Sequence, residues 1–345
     1  MITEWRRLDL PMKDAAIIVA VSGGADSIAL LLAIDELRKK KKLSVRIVAA
    51  HFDHRLRDDS ASDLEHVRRL TKERRIELAH SEWKKRTPGN LEQEARRARY
   101  RFLLRTAENV NTQYILTGHT MNDQAETVLM NLIRGSGSDG LGGMQPKKII
   151  SGLSHYDKNG PLLPFTEAVV TIVRPMMRWA KRVDTENFCR EMKMSFCLDP
   201  MNEDLRFRRV WIRKTLIPLL EEVNPKIVDA LCRTAELMQE DAKEATAAKA
   251  ETSVKASTDA QPTLYLRDLK SLERPQLFKT IREWLKTGYG DLRRLKLKHI
   301  EAVADLVQSK KSGKLIELPV GGRVSKRNGR LVFEQIKVEK SPPRT

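Results

Sequence analysis

The sequence predicts an α/β fold: a doubly wound, mostly parallel sheet, then a helical linker and a small α+β domain. Residues 17–21 read IIVAV, a β-branched run typical of a strand buried on both faces. Successive strand and helix patterns follow it as far as residue 133, which indicates a parallel sheet. Residues 315–336 alternate apolar and polar around Gly-Gly and Asn-Gly turns, so they predict β-hairpins in a separate, smaller domain.

The individual elements follow from the same patterns. We expect strands at residues 17–21, 45–52, 76–83, 114–118 and 169–173, and helices near 60–75, 181–193, 225–250, 275–287 and 297–309. Residues 134–144 are predicted to form a flexible loop and residues 150–166 a surface insertion. The predicted boundaries are a first domain at 1–220, a helical linker with a mobile part at 221–262, and a basic domain at 263–345.

Composition narrows the function classes. The net charge is +18, with 64 Lys and Arg, which indicates a polyanionic partner. Cys189, Cys197 and Cys232 make no Cys-x-x-Cys pair, so we predict neither a disulfide framework nor a metal site built on them. We find no signal-peptide pattern and no apolar run of membrane-spanning length, and therefore expect a cytoplasmic protein.

A glycine turn joins the first strand to the first long helix. This SGGADS turn consists of Ser22, Gly23, Gly24, Ala25, Asp26 and Ser27. A strand-to-helix turn of this kind presents backbone N–H groups at the positive end of a helix dipole, which suits phosphate. Asp26 is placed to hold Mg²⁺ on phosphate oxygens. This turn is not a Walker A loop, because no Gly-Lys-Ser/Thr follows it, and it does not match G-x-G-x-x-G either.

Polar side chains follow two further predicted strands. Asp53 follows the second strand, and His119, Asp123 and Glu126 follow the fourth. The carboxyl ends of parallel strands face the ligand crevice, so these residues are candidates for chemistry. Asp53 has a competing interpretation as a helix cap. Arg96 lies on a helix rich in arginine, which is usually a solvated face, although here acids do not balance the charge.

Basic residues concentrate in two places. Residues 205–220 carry Arg206, Arg208, Arg209 and Arg213, and the C-terminal region includes Arg294 and Lys298. These are our candidate RNA contacts. Phe207 and Trp211 lie among the first group, and we expect core packing for both, with base stacking as the alternative.

The motifs SGGADS, HFDHRLR, NLEQEARRARY, GHTMNDQAETVLMNLIRGSGSDGLGGM and DPMN occur in this order over residues 15–220. Together they resemble the tRNA(Ile)-lysidine synthetase family of the N-type ATP pyrophosphatase (PP-loop) superfamily. The resemblance implies an adenine nucleotide alpha hydrolase-like fold, a catalytic domain at 1–220, a tRNA-binding domain at 263–345, and a short form without the further C-terminal domain of some members. Asn122 and Thr120 depart from the residues common in the family.

The resemblance implies a reaction with ATP, Mg²⁺, free L-lysine and tRNA(Ile) bearing a CAU anticodon. The wobble cytidine is adenylated, and the lysine ε-amine then displaces AMP to form lysidine. The SGGADS turn, His119 and Asp123 would bind the nucleotide and Asp26 the metal. Asp53 and Glu126 would bind or deprotonate lysine, and Arg96 would offset negative charge. A homodimer is one option for the assembly.

Other functions use the same turn. A PP-loop tRNA thiolase is the main alternative, and it calls for a sulfur-carrying cysteine or iron–sulfur ligands. An amidotransferase-type synthetase acts on small molecules, which the basic C-terminal region disfavours. A non-catalytic RNA-binding protein is disfavoured by the intact SGGADS and GHTMNDQAET segments.

Overall fold

The computed structural model describes residues 1–55, 60–83, 91–151, 169–197, 203–250, 264–289, 295–309 and 314–335. The chain separates into two compact units, Met1–Glu251 and Thr252–Thr345. Each unit has its own hydrophobic core. Among the described helices, none combines the length and the apolar character that crossing a bilayer requires.

The first unit alternates strands and helices. Its elements are α1 (Ile2–Arg7), β1 (Lys13–Ala20), α2 (Ala25–Lys39), β2 (Ser44–Asp53), α3 (Ser60–Arg74), β3 (Glu77–Glu82), α4 (Leu91–Val110), β4 (Tyr114–Thr117), α5 (Met121–Ile133), α6 (Ser138–Leu141), β5 (Lys147–Ser151), β6 (Val169–Val173), α7 (Arg182–Glu191), α8 (Arg208–Trp211), α9 (Ile217–Val223) and α10 (Ile227–Ala250). A π-helical turn, Ile212–Leu216, joins α8 to α9. It precedes Pro218, which has no N–H for the carbonyl four residues back.

The sheet of the first unit has the order β3-β2-β1-β4-β6-β5. Its pairs are parallel except β5 with β6, which is antiparallel. The predicted doubly wound, mostly parallel sheet is therefore confirmed. In the centre, Ile17, Ile18 and Val19 of β1 are completely buried, as expected for a strand covered on both faces.

The edge strand β5 was not predicted. Its sequence, KKIIS, is short, and its alternation becomes visible only in the structure, where Ile149 is 68% exposed and Ile150 5%. Hydrogen bonding to β6 stabilises β5 as a strand, which the intrinsic strand preference of so short a segment does not do alone. Most of the predicted insertion at 150–166 lies outside the described residues.

The glycine-rich segment at 135–144 is anchored, although the sequence predicted a flexible loop. It contains α6, and Asn131 Nδ2 donates to the Gly140 carbonyl at 2.7 Å. The side-chain amides of Gln124 on α5 and Gln239 on α10 both donate to the carbonyls of Gly142 and Met144. Two helices distant in sequence therefore hold this segment by the same backbone atoms.

The second unit packs helices on an antiparallel sheet. Its elements are β7 (Leu264–Tyr265), α11 (Leu266–Lys270), α12 (Arg274–Tyr289), α13 (Leu297–Gln308), β8 (Leu315–Leu318), β9 (Gly322–Arg327) and β10 (Arg330–Gln335), with sheet order β7-β10-β9-β8. Asn328 and Gly329 form the β9–β10 turn with φ of 46° and 74°. The predicted hairpins and both predicted helices are present. Of the predicted mobile stretch at 246–262, residues up to 250 extend α10 and the rest lies outside the described residues.

Gly118, after β4, gives a test of how tightly this strand approaches the SGGADS turn. A Cβ at Gly118 would lie 2.8 Å from the Asp26 carbonyl oxygen, and that backbone atom cannot rotate away. We expect Gly118→Ala to lower the free energy of unfolding by about 1–3 kcal/mol in urea titrations. Gly24→Ala is the control, because its Cβ meets only Ser22 Oγ at 3.7 Å. Equal losses for both variants would contradict the close approach.

Candidate active site

The SGGADS turn lies at the carboxyl end of β1, in the centre of the sheet. Val21, just before it, donates its N–H to the Ala50 carbonyl at 2.9 Å, which keeps the turn continuous with β2. Gly23 has φ of +96°, a conformation that side chains rarely adopt. Within the described residues, the backbone N–H groups of Gly23, Gly24, Ala25 and Asp26 have no acceptor. These donors fit the oxygens of a phosphate group.

The two serines stabilise the turn from inside. Ser27 Oγ donates to the Gly24 carbonyl at 2.9 Å and accepts the Ser22 N–H at 3.1 Å. The two hydroxyl oxygens lie 3.2 Å apart. From outside, the Cys197 N–H donates to the Gly23 carbonyl at 2.9 Å. The turn is thus preorganised without a ligand.

Asp26, in the first turn of α2, points towards α7. The Thr185 hydroxyl donates to its Oδ1, and Arg182 Nε lies 3.6 Å from its Oδ2. Burial raises the pKa of Asp26 above its ordinary value, and the contacts with Thr185 and Arg182 oppose that rise. Thr185 is buried, and the sequence analysis did not single it out.

The acids of α5 meet three arginines. Glu126 is 0% exposed, and it lies 2.6 Å from Arg209 Nε, 2.7 Å from Arg213 Nε and 3.6 Å from Arg182 Nη2. Asp123 is 2.9 Å from Arg209 Nη2 and 3.8 Å from Arg182 Nη2. Burial alone would raise the pKa of Asp123, but Arg209, His119 and Arg182 hold it below its ordinary value.

Arg182 connects these acids to the SGGADS turn, because it contacts Asp26, Asp123 and Glu126 together. We call the set of six side chains the carboxylate–arginine network: Asp26, Asp123, Glu126, Arg182, Arg209 and Arg213. The sequence analysis did not find Arg182. It opens a helix of alternating charge that resembles an ordinary solvated face, so no local signal marked it.

His119 lies beside this network. Its Nδ1 is 2.8 Å from the Thr117 hydroxyl. Desolvation, together with Arg174, Arg99 and Arg209 and despite Asp123, lowers the pKa of His119 to about 3. At neutral pH the ring is therefore uncharged and acts as a hydrogen-bonding group.

The other two proposed catalytic residues lie on different elements. Asp53 ends β2, and its Oδ1 accepts the Arg55 N–H at 2.7 Å. Arg96 is exposed on α4, with its guanidinium carbon 5.3 Å from the centre of the Tyr100 ring. Both lie on elements that pack against β1 or β2.

The predicted RNA-binding residues separate into groups. Arg209 and Arg213 belong to the carboxylate–arginine network, and the expected pairing of Arg213 with an acid is present. Arg206 is exposed and pairs with Asp204 at 2.7 Å. Arg208 is exposed on α8 and Lys298 on α13. Arg294 lies outside the described residues.

The two aromatic residues of this segment do not pack in the core. Trp211 is 42% and Phe207 39% exposed, so the expectation of core packing was wrong. The apolar face of the helix is instead supplied by Val210 and Ile212, which are buried.

The two departures from the family pattern have structural roles. Thr120 donates both its N–H, at 2.9 Å, and its hydroxyl, at 3.0 Å, to Asp123 Oδ2, which closes the first turn of α5. Asn122 Oδ1 accepts the Arg182 N–H at 2.9 Å. Both residues therefore position members of the network.

A known protein family and several of its members match this chain. A family model described as the PP-loop domain matches residues 2–220. A tRNA(Ile)-lysidine synthase from Nostoc sp. is 38% identical over 65% of this chain and 60% of its own length. The tRNA(Ile)-lysidine synthase from Geobacillus kaustophilus is 33% identical over 95% of this chain and 68% of its own length. The one from Gloeobacter violaceus is 32% identical over 84% of this chain and 82% of its own length.

This chain therefore spans less than two thirds of some relatives, such as the Nostoc protein. Among solved structures, a U34-tRNA thiolase from Methanococcus maripaludis, determined with its 4Fe–4S cluster, has a TM-score of 0.53 at 15% identity. The match covers 69% of this chain and 77% of that one, and it shows a shared fold. By the family model and the long matches at more than 30% identity, the chain belongs to the PP-loop family and, within it, to the tRNA(Ile)-lysidine synthases.

Proposed function

We propose that this protein uses ATP to ligate L-lysine to the wobble cytidine of tRNA(Ile) with a CAU anticodon. The reaction forms lysidine and releases AMP and pyrophosphate. Family membership supports ATP use through the SGGADS turn. The lysine and tRNA specificity rests on the relatives' names and on the charges in the crevice.

The carboxylate–arginine network is the observation that carries the proposal. Free lysine has two ammonium groups and one carboxylate, so its site needs fixed charges of both signs. The crevice holds three carboxylates and three guanidiniums, each within 4 Å of at least one group of opposite charge. A lysine that enters can pair its two ammonium groups with carboxylates of the network and its carboxylate with a guanidinium.

In the first step the cytidine carbonyl oxygen attacks the α-phosphorus of ATP. The N–H groups of the SGGADS turn hold the departing pyrophosphate, while Arg182 orients Asp26 beside it. The Asp26 carboxylate, 23% exposed at the edge of the turn, fits a Mg²⁺ ligand. When bound, Mg²⁺ neutralises charge on the phosphate oxygens.

In the second step the lysine ε-amine attacks carbon 2 of the activated base. AMP is a good leaving group, so positioning and proton removal are the main requirements. We assign Asp53 or Glu126 to binding or deprotonating the amine, and Arg96 to offsetting charge at the activated base. We assign Asp123 and His119, whose ring is uncharged, to binding the nucleotide.

The remaining proposals concern the tRNA-binding surface, the location of the protein in the cell and its oligomeric state. We place the tRNA-binding surface mainly in the second unit, whose exposed Lys298 is one contact, and the protein in the cytoplasm. Arg208, exposed on α8 next to Arg209, adds positive charge there, and Arg206 stays a candidate RNA contact although it pairs with Asp204. A homodimer remains our proposal for the assembly.

The cysteines argue against the alternative, a tRNA thiolase. Burial raises the pKa of the Cys189 thiol to about 11, so it is a poor nucleophile at neutral pH. Cys197 does contact the SGGADS turn. In the described part of the chain, however, no group of three or more His, Cys, Asp or Glu side chains is arranged for a metal.

Radiolabelled lysine gives the direct test. We expect label to enter tRNA(Ile) with a CAU anticodon when ATP is present. Transfer of the label without ATP, transfer to methionine tRNA with the same anticodon, or no transfer would contradict the proposal. Incorporation of sulfur from a sulfide donor would favour the thiolase.

Asp26→Ala tests the first step. We expect a folded protein in which ATP–pyrophosphate exchange falls by about 10²-fold or more, because a contact to metal or phosphate is lost. Asp241→Ala, at an exposed position on α10, is the control and should exchange normally. Near-normal turnover by Asp26→Ala would remove the turn from the mechanism.

Asp53→Asn and Glu126→Gln test the second step. If either residue handles the lysine amine, its variant should adenylate tRNA and accumulate AMP-tRNA without lysidine. Chromatography of nuclease digests distinguishes the two products. Loss of adenylation in both variants would instead assign both residues to ATP or metal binding.

A truncated chain tests the tRNA-binding role of the second unit. The first unit has its own core, so a protein lacking residues 263–345 should fold and bind ATP. It should select tRNA(Ile) poorly, and the slope of log Kd against log salt should decrease because phosphate contacts are lost. Unchanged affinity, selectivity and salt dependence would show that the second unit does not bind tRNA.

A further inference from the structure

A surface patch lies where the last turn of α5 meets α8. We call it the aromatic–basic patch, and six residues line its shallow depression: Met130, Ile133, Arg134, Arg208, Trp211 and Ile212. Trp211 is 42% exposed and Ile133 59%. An exposed apolar patch with polar residues at its rim is a candidate interaction site.

The charges of the patch indicate what binds there. Arg134 and Arg208 have no ion-pair partner within the described residues. None of the six lining residues is acidic. The acids that precede α8 are already engaged, Glu203 with Lys214 and Asp204 with Arg206. The patch therefore combines an aromatic face with two unneutralised guanidiniums, which suits an anionic ligand that also carries a flat ring.

The patch is connected to the reaction site through two helices. Glu126 and Ile133 are seven residues apart on α5, a rise of about 10 Å. On α8, Arg208 and Trp211 flank Arg209, whose guanidinium contacts Glu126. A ligand chain that lies on the patch can thus extend into the carboxylate–arginine network.

We propose that the patch binds an unpaired nucleotide of the RNA substrate, with its base stacked on Trp211 and its phosphate held by Arg134 and Arg208. The inference rests on the proposed function, since it takes RNA as the substrate. Single-stranded RNA is bound in this way by other proteins, through aromatic faces with basic residues beside them. A second copy of the chain is the competing occupant.

The test uses the full-length protein and two RNAs: tRNA(Ile) with a CAU anticodon and a mixed-sequence single strand. We expect Trp211→Ala to weaken binding of both by about 5- to 150-fold with an unchanged salt slope. Trp211→Phe should lose less RNA affinity than Trp211→Ala, because a phenyl ring still stacks on a base. Trp179→Ala is the matched control, since Trp179 is 44% exposed and lies outside the patch.

The arginines are tested by salt dependence. Arg208→Gln and Arg134→Gln should each reduce the slope of log Kd against log salt by about 0.7–1. Arg46→Gln is the control, because it removes the same charge at the start of β2, the opposite end of the strands from the crevice. A slope reduction equal to that of the control would overturn the phosphate role.

Two results would overturn the stacking role. One is a Trp211→Ala protein that binds both RNAs as tightly as Trp179→Ala. The other is a Trp211→Ala protein that loses self-association in sedimentation experiments but still binds both RNAs, which would make the patch a contact between copies of the chain. The single strand separates this inference from the proposed function: lysine transfer can fail while Trp211-dependent binding of the single strand persists.

Discussion

The structure of the site depends on one constraint: Glu126 is completely buried and must be neutralised. An unpaired carboxylate in that position would cost several kcal/mol. Arg209 and Arg213, 83 and 87 residues away in sequence, meet it directly, and Arg182 approaches from α7. These pairs connect α5, α7 and α8 at the crevice, beside the apolar cluster that packs α5 against Ile212 and Ile217.

The same constraint links the two halves of the proposed chemistry. Arg182 contacts Asp26 at the SGGADS turn and Glu126 on α5, so the nucleotide side and the acidic side share a cation. Thr185 fixes Asp26 from the same helix. A change in charge on one side is therefore felt on the other over a distance of a few ångströms, where screening by solvent is weak.

The sequence predicted those residues of the site whose place follows from a strand-to-helix turn or from the start of a helix. The SGGADS turn follows a buried strand and opens a helix, and the structure places Asp26, Asp123 and Glu126 at the crevice as their positions in sequence indicated. Arg182 and Thr185 were missed because their importance comes from partners far along the chain. For the same reason Arg209 resembled a surface cation and Trp211 a core residue, since helical spacing does not reveal which face of α8 meets the neighbouring helices.

The paired amides of Gln124 and Gln239 have a consequence for how the chain is divided experimentally. Both donate to the Gly142 and Met144 carbonyls, and Gly143 between them has φ of +61° and no room for a Cβ against Gln124. Gln239 belongs to α10, beyond the boundary at residue 220 that motif similarity suggests. An expression fragment that ends at residue 220 lacks Gln239, whereas one that ends after α10 keeps the hydrogen bonds from both amides to the glycine-rich segment.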